Sequence, residues 1–308
     1  MGNAYTDTTA VAGLVKTAYD RYVEFALRSV PMHRSIADKR PVQQAMPGSS
    51  VVFSLYQDLA AASSTLTETT DPDSVALSDV TTVSVTLGEY GNAVLQTRKL
   101  GEFAFSDVDP AVANIVAFNM ADSLDAVVVS KLIAGTNVIY STASATATST
   151  VTTSGVITGA NVRKAVAKLR AGKAVPKEGM LYRAYIHPEV AHDLRGETGA
   201  QAFEDVRKYT DNANILHEVV GIYGGAAFTE TPRAYSATDG ASSAKVYRTI
   251  FVGQQALAEA TAVEPGVVIG PVTDKLMRYR PIGWYGLLGW SVYRQAALYR
   301  IESASSIA

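Results

Sequence analysis

Two of the four histidines lie in the segment YIHPEVAHDLR, residues 185–195, among acidic side chains. Imidazole and carboxylate groups are common zinc ligands and common general acids and bases, so this segment is the first candidate for a hydrolytic site. On a helix, however, the spacing of His187 and His192 turns their rings about 140° apart, and Asp193 points about 100° away from His192. A zinc-binding helix needs histidines four residues apart with a glutamate between them. The spacing therefore argues against a metal site, and a hydrolase using His187, His192 and Asp193 is kept only as the alternative function.

The same segment has the pattern of a helix start. Pro188 suits the first position of a helix, and Glu189 places negative charge in the first turn. Arg195 places positive charge in the last turn, and Gly196 is a typical stop. We therefore expect a short helix in which both histidines are structural or solvated.

The remaining motifs do not supply an active site either. Asp71 and Asp73 have the spacing of the first ligands of a calcium loop, but Ala76 and Thr82 occupy the positions where such a loop needs glycine and glutamate. The sequence contains no phosphate-binding glycine loop, no Gly-x-Ser-x-Gly elbow and no cysteine. We predict a protein without catalytic residues, cofactor or metal, which is therefore not an enzyme.

Composition limits the class of protein further. The 308 residues are 47% hydrophobic and 18% charged, with a net charge of −2. The charged fraction is low for a folded protein, and weakly polar residues replace it, which favours large interfaces. The near-neutral charge excludes a global attraction to nucleic acid. The chain has neither a signal-peptide pattern nor an apolar run of about 20 residues, so we expect no membrane partner.

The N-terminal part of the chain predicts a helix and then an arm. Apolar side chains, among them Tyr22 and Phe25, recur at helical spacing over residues 9–28. The basic stretch over residues 32–41 contains a proline at its end and is typical of an irregular arm more than of a core element.

A long hairpin is predicted next. Residues 50–57 and 80–99 both have strand patterns, and a Ser/Thr/Ala-rich tract separates them. Since an isolated hairpin is only marginally stable in water, we expect it to pack on another body, such as a second subunit.

The clearest single element is a long helix over residues 109–134. Asp109 is a good N-cap, Pro110 suits the first helical position, and Gly135 ends the pattern. The apolar stripe comprises Val112, Ile115, Val116, Met120, Leu124, Val127, Val128 and Leu132. Shorter helices are predicted at 159–171 and 253–260. With mostly antiparallel strands between them, the predicted class is α+β.

This order of elements resembles the major capsid proteins of tailed bacteriophages with the HK97-type fold, in particular the N4-type branch. Four segments carry the resemblance: LTETTDPDSVALSDVTTVSVTLGEYGNAVLQT, DLRGETGAQAFEDVRKYTD after IHPEV, GIYGGAAFTETP, and GWSVYRQAALYRIESAS. Together they cover most of residues 50–303. The resemblance implies an HK97-like capsid fold with an N-terminal arm, an extended β-hairpin loop, a peripheral domain containing a long spine helix, and an axial domain.

The implied boundaries follow the chain. They are 1–48 for the arm, 49–100 for the extended loop, 101–157 with 271–308 for the peripheral domain, and 158–270 for the axial domain. The residues expected in contacts between subunits are Tyr22, Phe25, Glu68, Asp71 and Asp73.

The implied function is that of a structural protein. It would self-assemble into hexamers and pentamers that form an icosahedral shell around double-stranded DNA, assembled in the bacterial cytoplasm and located in the virion. The implied partners are further copies of the chain, scaffolding, portal and decoration proteins, and packaged DNA in non-specific contact. A non-viral protein compartment of the same fold is the second alternative.

Overall fold

A computed structural model describes residues 29–41, 50–56, 59, 61–63, 65–77, 81–103, 108–142, 144–198, 219–272 and 274–308. The helix expected over residues 9–28, with Tyr22 and Phe25, lies outside these described residues.

The described helices and strands are α1 (Arg98–Phe103), α2 (Val108–Ile133), α3 (Gly159–Ala171) and α4 (Pro188–Gly196), with β1 (Asp38–Pro41), β2 (Ser50–Leu55), β3 (Thr81–Thr86), β4 (Gly88–Thr97), β5 (Val138–Tyr140), β6 (Tyr182–Ile186), β7 (Val219–Tyr223), β8 (Ala226–Glu230), β9 (Ser236–Ala237), β10 (Val246–Val252), β11 (Leu257–Ile269), β12 (Tyr279–Val292) and β13 (Leu298–Ser303). This mixture of helices with mostly antiparallel strands confirms the α+β class.

Helix α2 confirms the long helix expected at residues 109–134. It begins at Val108, so Asp109 lies inside the first turn instead of at the N-cap. Four buried side chains lie four or eight residues apart, which keeps them on one face of the helix against the core: Val116, Leu124, Val128 and Leu132. Ile115, expected in the same stripe, is exposed, whereas Val129, which was not expected in it, is buried.

By length and mean hydropathy alone, residues 112–133 of α2 could also cross a membrane. The helix instead packs on β4, β11 and β12 and contributes to the hydrophobic core. It also carries a buried carboxylate, Asp125, which is hydrogen-bonded within the protein. These contacts attach one face of α2 to the core, and 28% of its most apolar window is buried within the subunit.

The four-stranded sheet has the order β1-β11-β12-β4 and is built on two long strands. β11 corrects the helix expected at residues 253–260, because from Leu257 onward the chain is strand. The Ala- and Glu-rich sequence has good helix propensity there, but pairing with β1 and β12 on both sides overrides it. A register shift around Pro265 marks where β11 cannot continue a regular ladder.

The second large sheet has seven strands in the order β5-β13-β10-β6-β8-β7, with β9 paired to β10. Its central strands are buried on both faces, and α3 packs against β13. Helix α3 has the bounds expected from the sequence, and its N-cap Thr158 accepts a hydrogen bond from the Asn161 N–H.

Sheet membership does not follow chain order at the C-terminal end. β12 lies in the four-stranded sheet beside β11, whereas β13 lies in the seven-stranded sheet beside β10. The chain therefore crosses between the two sheets after Val292. The division into peripheral and axial domains at residue 270 stays a prediction.

His33, Ile36 and Ala37 are buried in the core, whereas the sequence indicated an irregular stretch outside it. His33 is fully buried, its N–H donates to Asp125 Oδ1 at 2.7 Å, and its Nδ1 lies 2.9 Å from Asp125 Oδ2. The His33 ring also packs on Tyr185 of β6, with centroids 4.9 Å apart. This one side chain therefore connects α2 to the seven-stranded sheet.

The next residue connects the same segment to the four-stranded sheet. Arg34 donates to both oxygens of Glu259 in β11, with a closest distance of 2.6 Å. Glu259 is fully buried and also accepts from Trp290 Nε1 at 2.9 Å. Burial alone would raise the pKa of Glu259, but the hydrogen bonds from Arg34 and Trp290 lower it below its ordinary value. The carboxylate therefore stays ionised at neutral pH.

Removing the Arg34 charge tests this connection. The substitution Arg34→Met leaves Glu259 buried without its cation, and we expect the free energy of unfolding to fall by about 2–3 kcal/mol, since Arg34 is partly solvated. Guanidinium unfolding of the subunit measures the change. The matched control is Arg195→Met, which breaks a more exposed pair with Glu230 and should cost about 1 kcal/mol or less. Equal losses in the two variants would contradict the assignment.

Candidate assembly surfaces

The candidate hydrolytic segment folds as the helix start that its sequence indicates. His187 is the N-cap of α4, and its Nδ1 accepts the Glu189 N–H at 3.3 Å. The ring packs on Tyr247, with centroids 4.8 Å apart. Burial lowers the pKa of His187 below its ordinary value, so the neutral ring is available as an acceptor at pH 7. His187 therefore has a structural role at this helix end.

Of the other two candidate residues, His192 is solvated and Asp193 has a structural role. His192 is exposed, and its ring lies 3.5 Å from Asp193 Oδ1. The Asp193 carboxylate accepts from both the hydroxyl group and the backbone N–H of Ser306, the latter at 2.9 Å. The structure holds no cluster of three metal-ligating side chains within the described parts of the chain. Asp193 thus anchors the C-terminal segment to α4.

Every described residue of the segment between β2 and β3 is exposed. The described part has no helix or strand, and a turn in which the Thr70 N–H bonds to Thr67 O at 3.3 Å lies near its middle. Glu68, Asp71 and Asp73, the predicted contact residues, are all exposed there. Five large apolar side chains of this segment are between 53% and 76% exposed: Tyr56, Leu59, Leu66, Val75 and Leu77. Such a concentration of exposed apolar groups is typical of an interaction surface. We refer to residues 65–77 as the loop tip.

The base of this loop is held firmly. β2 and β3 form the expected antiparallel hairpin, and Phe53 and Val85 are buried against Ala258 and Ala260 of β11. Tyr293, which follows β12, donates to Ser54 O at 3.3 Å. The second predicted strand is longer than its partner, because its C-terminal half, β4, leaves the hairpin and pairs with β12. The loop tip is therefore exposed on a rigid support.

The sequence predicted the loop tip but not the residues that hold its support in place. His33, Arg34, Asp125 and Glu259 were not identified, because each lies far along the chain from its partner. The only signal was the presence of acids in otherwise apolar patterns, at Asp125 within the α2 stripe and at Glu259 in β11. Tyr22 and Phe25 lie outside the described residues.

This architecture of a long helix on a four-stranded sheet, a second larger sheet and a projecting hairpin is the HK97-type capsid fold. The capsid of Ralstonia phage GP4 matches with a TM-score of 0.76 at 13% identity, covering 99% of this chain and 98% of that chain. The cyanophage Pam1 capsid matches with a TM-score of 0.75 at 14% identity, over 98% of this chain and 100% of that chain. The head of Helicobacter pylori bacteriophage KHP40 matches with a TM-score of 0.74 at 14% identity, over 98% and 99%.

A sequence profile described as phage capsid protein matches residues 19–296, and the chain belongs to this family. No curated protein sequence matches it. The family and the fold confirm the resemblance to the major capsid proteins of tailed bacteriophages, and the role of the protein is that of a structural capsid component.

The Asp193 anchor gives a pH-dependent prediction. Burial alone would raise the pKa of Asp193, but the hydrogen bonds from Ser306 lower it below its ordinary value. A lowered pKa means that the carboxylate stabilises the fold above its unfolded pKa of about 3.9 and loses this effect as the pH falls through the folded pKa. Asp193→Asn should therefore reduce stability by about 1 kcal/mol at pH 7 and by progressively less below about pH 4.

Thermal unfolding from pH 7 to pH 3 measures this difference. The control Asp71→Asn removes an exposed carboxylate of the loop between β2 and β3 and should leave the profile of the wild type unchanged. A stability deficit of Asp193→Asn that stays constant down to pH 3 would show that the carboxylate charge does not act through Ser306.

The hydrolase alternative is tested by removing both rings. We expect that neither the wild type nor the double variant His187→Ala, His192→Ala binds zinc. The double variant should also assemble as the wild type does. Metal analysis by mass spectrometry and electron microscopy of the same samples measure both properties. Stoichiometric zinc in the wild type that disappears in the variant would favour the hydrolase.

Proposed function

We propose that the protein self-assembles into hexamers and pentamers that close an icosahedral shell around double-stranded DNA. The observation that carries this proposal is the loop tip, which exposes apolar and acidic side chains on a rigid hairpin in a chain of the phage capsid family. In a monomer these apolar groups would stay in contact with water, and association removes them from it, which is favourable. In a shell, every subunit has a neighbouring subunit that can bind its loop tip.

Many weak contacts are sufficient for such an assembly. An exposed ion pair contributes only about 0.2–1 kcal/mol. Each subunit in a ring both offers its loop and receives that of a neighbour, so that closure of the ring makes the contacts cooperative. Glu68, Asp71 and Asp73 are proposed as polar contacts of this interface.

The remaining partners and the location follow from the same proposal. Contact with packaged DNA is non-specific, since the net charge of −2 provides no general attraction to phosphate. Scaffolding, portal and decoration proteins are proposed as further partners, and assembly is proposed to occur in the bacterial cytoplasm. We also propose the domain division expected from the sequence, with residues 101–157 and 271–308 as the peripheral domain and residues 158–270 as the axial domain.

Substitution of the apolar side chains at the loop tip tests self-assembly. Leu66→Ser, Val75→Ser and Leu77→Ser together should leave the free energy of unfolding of the subunit within about 0.5 kcal/mol, because these side chains are already exposed. Assembly should nevertheless fail, as followed by electron microscopy and light scattering. The control Thr67→Ser, Thr69→Ser, Thr70→Ser keeps the apolar groups and charges of the same loop and should assemble normally.

Two outcomes would contradict the proposal. The first is a wild-type protein that remains monomeric at high concentration and forms no shells. The second is a triple variant that assembles as well as the control. Particles that contain no DNA when isolated from host cells would favour the non-viral compartment instead.

A further inference from the structure

The chain contains one long stretch without any carboxylate. Residues 126–177 hold seven lysines and arginines and no aspartate or glutamate, although the whole chain has 27 basic and 29 acidic residues. Six of these seven cations lie within residues 159–177, in helix α3 and the turn that follows it. A chain whose net charge is only −2 therefore carries a local concentration of positive charge.

Helix α3 turns its charged side chains toward solvent. Its buried side chains form one stripe, which comprises Val162, Ala165, Val166 and Leu169. At about 100° per residue, Lys164 and Lys168 lie on one side of a row of exposed alanines, and Arg163 and Arg170 lie on the other side. This row comprises Ala160, Ala167 and Ala171. A chain of anionic groups can therefore approach the helix closely between two rows of cations.

The carboxylates at the two ends of α3 bind other groups. Glu197 accepts the N–H at the start of the helix at 2.7 Å, and Glu178 lies 3.3 Å from a guanidinium nitrogen of Arg183. Among the described residues, no carboxylate forms an ion pair with Lys164 or Lys168. The charge of these two lysines is therefore not neutralised within the subunit.

A glycine turn makes room for the arginine side of the helix. Gly224 and Gly225 join β7 to β8 with positive φ angles of 58° and 91°. A Cβ atom on Gly225 would lie 2.7 Å from a terminal nitrogen of Arg170 and would displace the guanidinium. The sequence GIYGG, which matches no nucleotide-binding loop, thus leaves space for Arg170 beside the helix.

Lys173 extends the charge beyond the helix in a conformation that is unfavourable for lysine. Its φ is 52°, in the left-handed region that glycine usually occupies at helix ends. The glycine of this sequence stands one position earlier, at Gly172. Arg294 donates to the Lys173 carbonyl at 3.5 Å, so a further cation lies beside it. A charge kept where glycine would be less strained points to a use of that charge. We refer to Lys164, Lys168, Arg170, Lys173 and Arg294 as the cationic face.

The composition of the cationic face distinguishes between kinds of partner. The core of a protein–protein interface is rich in aromatic residues and methionine and poor in lysine. The fully exposed uncharged residues of α3, however, are all alanines. Phosphate groups of a nucleic acid bind cations and need no apolar surface. The face therefore fits a phosphate backbone better than it fits a protein.

The cationic face lies on one side of the seven-stranded sheet. Arg163 donates to the Tyr223 hydroxyl, so α3 packs beside Tyr223. The strand registers place Tyr223 on the face of the sheet opposite Tyr185, and Tyr185 packs on His33. A partner bound to α3 therefore does not compete with residues 29–41, which pack on the other side.

We propose that the cationic face binds the phosphate backbone of the packaged double-stranded DNA. Its lysines and arginines neutralise phosphates and make no base-specific contact, so the binding is independent of sequence. The local charge supplies the attraction that the net charge of the chain does not. This inference rests on the proposed function, a shell around DNA, and names the surface of the subunit that faces the DNA.

Charge removal on the unassembled full-length chain tests the inference. Binding of a labelled duplex of about 20 base pairs is followed by fluorescence anisotropy between about 50 and 200 mM salt. For the wild type we expect the logarithm of the binding constant to fall with the logarithm of salt concentration with a slope of about −4. Lys164→Gln with Lys168→Gln should bring the slope to about −2 and weaken binding about tenfold at the lowest salt.

The matched control removes two lysines elsewhere. Lys39→Gln with Lys275→Gln changes the net charge equally at exposed positions of β1 and of the segment before β12, and should bind as the wild type does. Two duplexes of unrelated sequence should bind the wild type equally. A Lys164, Lys168 variant that binds with the wild-type slope, or a control that loses as much binding, would overturn the inference.

The substitution Lys173→Gly separates the charge of this residue from its role in the fold. Glycine relieves the left-handed backbone, so the melting temperature should be equal to that of the wild type or higher. The salt slope should nevertheless change by about one, because one phosphate contact is lost. An unchanged slope would overturn the assignment of Lys173 to the cationic face.

Assembled particles test the direction in which the face points. Lys164 and Lys168 should lose reactivity toward an amine-specific reagent in particles that contain DNA, and should regain it in particles from which the DNA has been released. Lys275 should show the same reactivity in both samples. Mass spectrometry of the labelled peptides measures these differences.

Two further results would overturn the inference alone. One is a shell in which Lys164 and Lys168 react equally with and without DNA, whether they are open in both samples or covered in both. The other is a polyglutamate chain that binds the cationic face more tightly than the duplex does, which would favour an acidic protein partner. A wild type that forms no shells overturns the proposed function, and it is distinguishable because duplex binding is measured before assembly.

Discussion

Two buried carboxylates, Asp125 in α2 and Glu259 in β11, are the groups on which the arrangement of the described chain depends. Each is removed from water, and an unpaired buried charge is strongly destabilising. Two consecutive residues are their hydrogen-bond partners, since His33 binds Asp125 and Arg34 binds Glu259. One short segment therefore sets the position of the long helix relative to both large sheets.

This rigid body allows the loop tip to remain exposed. The base of the hairpin is buried against β11, so the order of β2 and β3 does not depend on contacts made by the tip. In the proposed assembly, stability and association are therefore assigned to different residues. This separation would allow the subunit to fold first and to bind its neighbours afterwards through the exposed apolar groups of the tip.

Local patterns were sufficient where an element is decided by neighbours in the sequence. Thr158 and Gly172 bound α3, and Pro188 opens α4, as the capping preferences indicate. They were insufficient at residues 253–260, where an Ala- and Glu-rich segment pairs as strand β11, and at residues 33–37, where His33, Ile36 and Ala37 of a basic segment are buried. In both cases a partner distant in sequence decided the outcome, and no local preference contains that information.

The sequence by itself determined the α+β class, the long helix, the projecting hairpin and the lack of a metal-binding spacing around His187, because each of these depends on periodicity, capping or residue spacing. The family resemblance was also visible in the sequence, in four segments and their order along the chain. Only the tertiary structure decided that His33 is buried in the core, that Arg34 pairs with the buried Glu259, and that β4 leaves the hairpin for β12. Those relations join residues far apart in the chain, and they exist only once the sheets have formed and long-range burial has selected the partners of each charge.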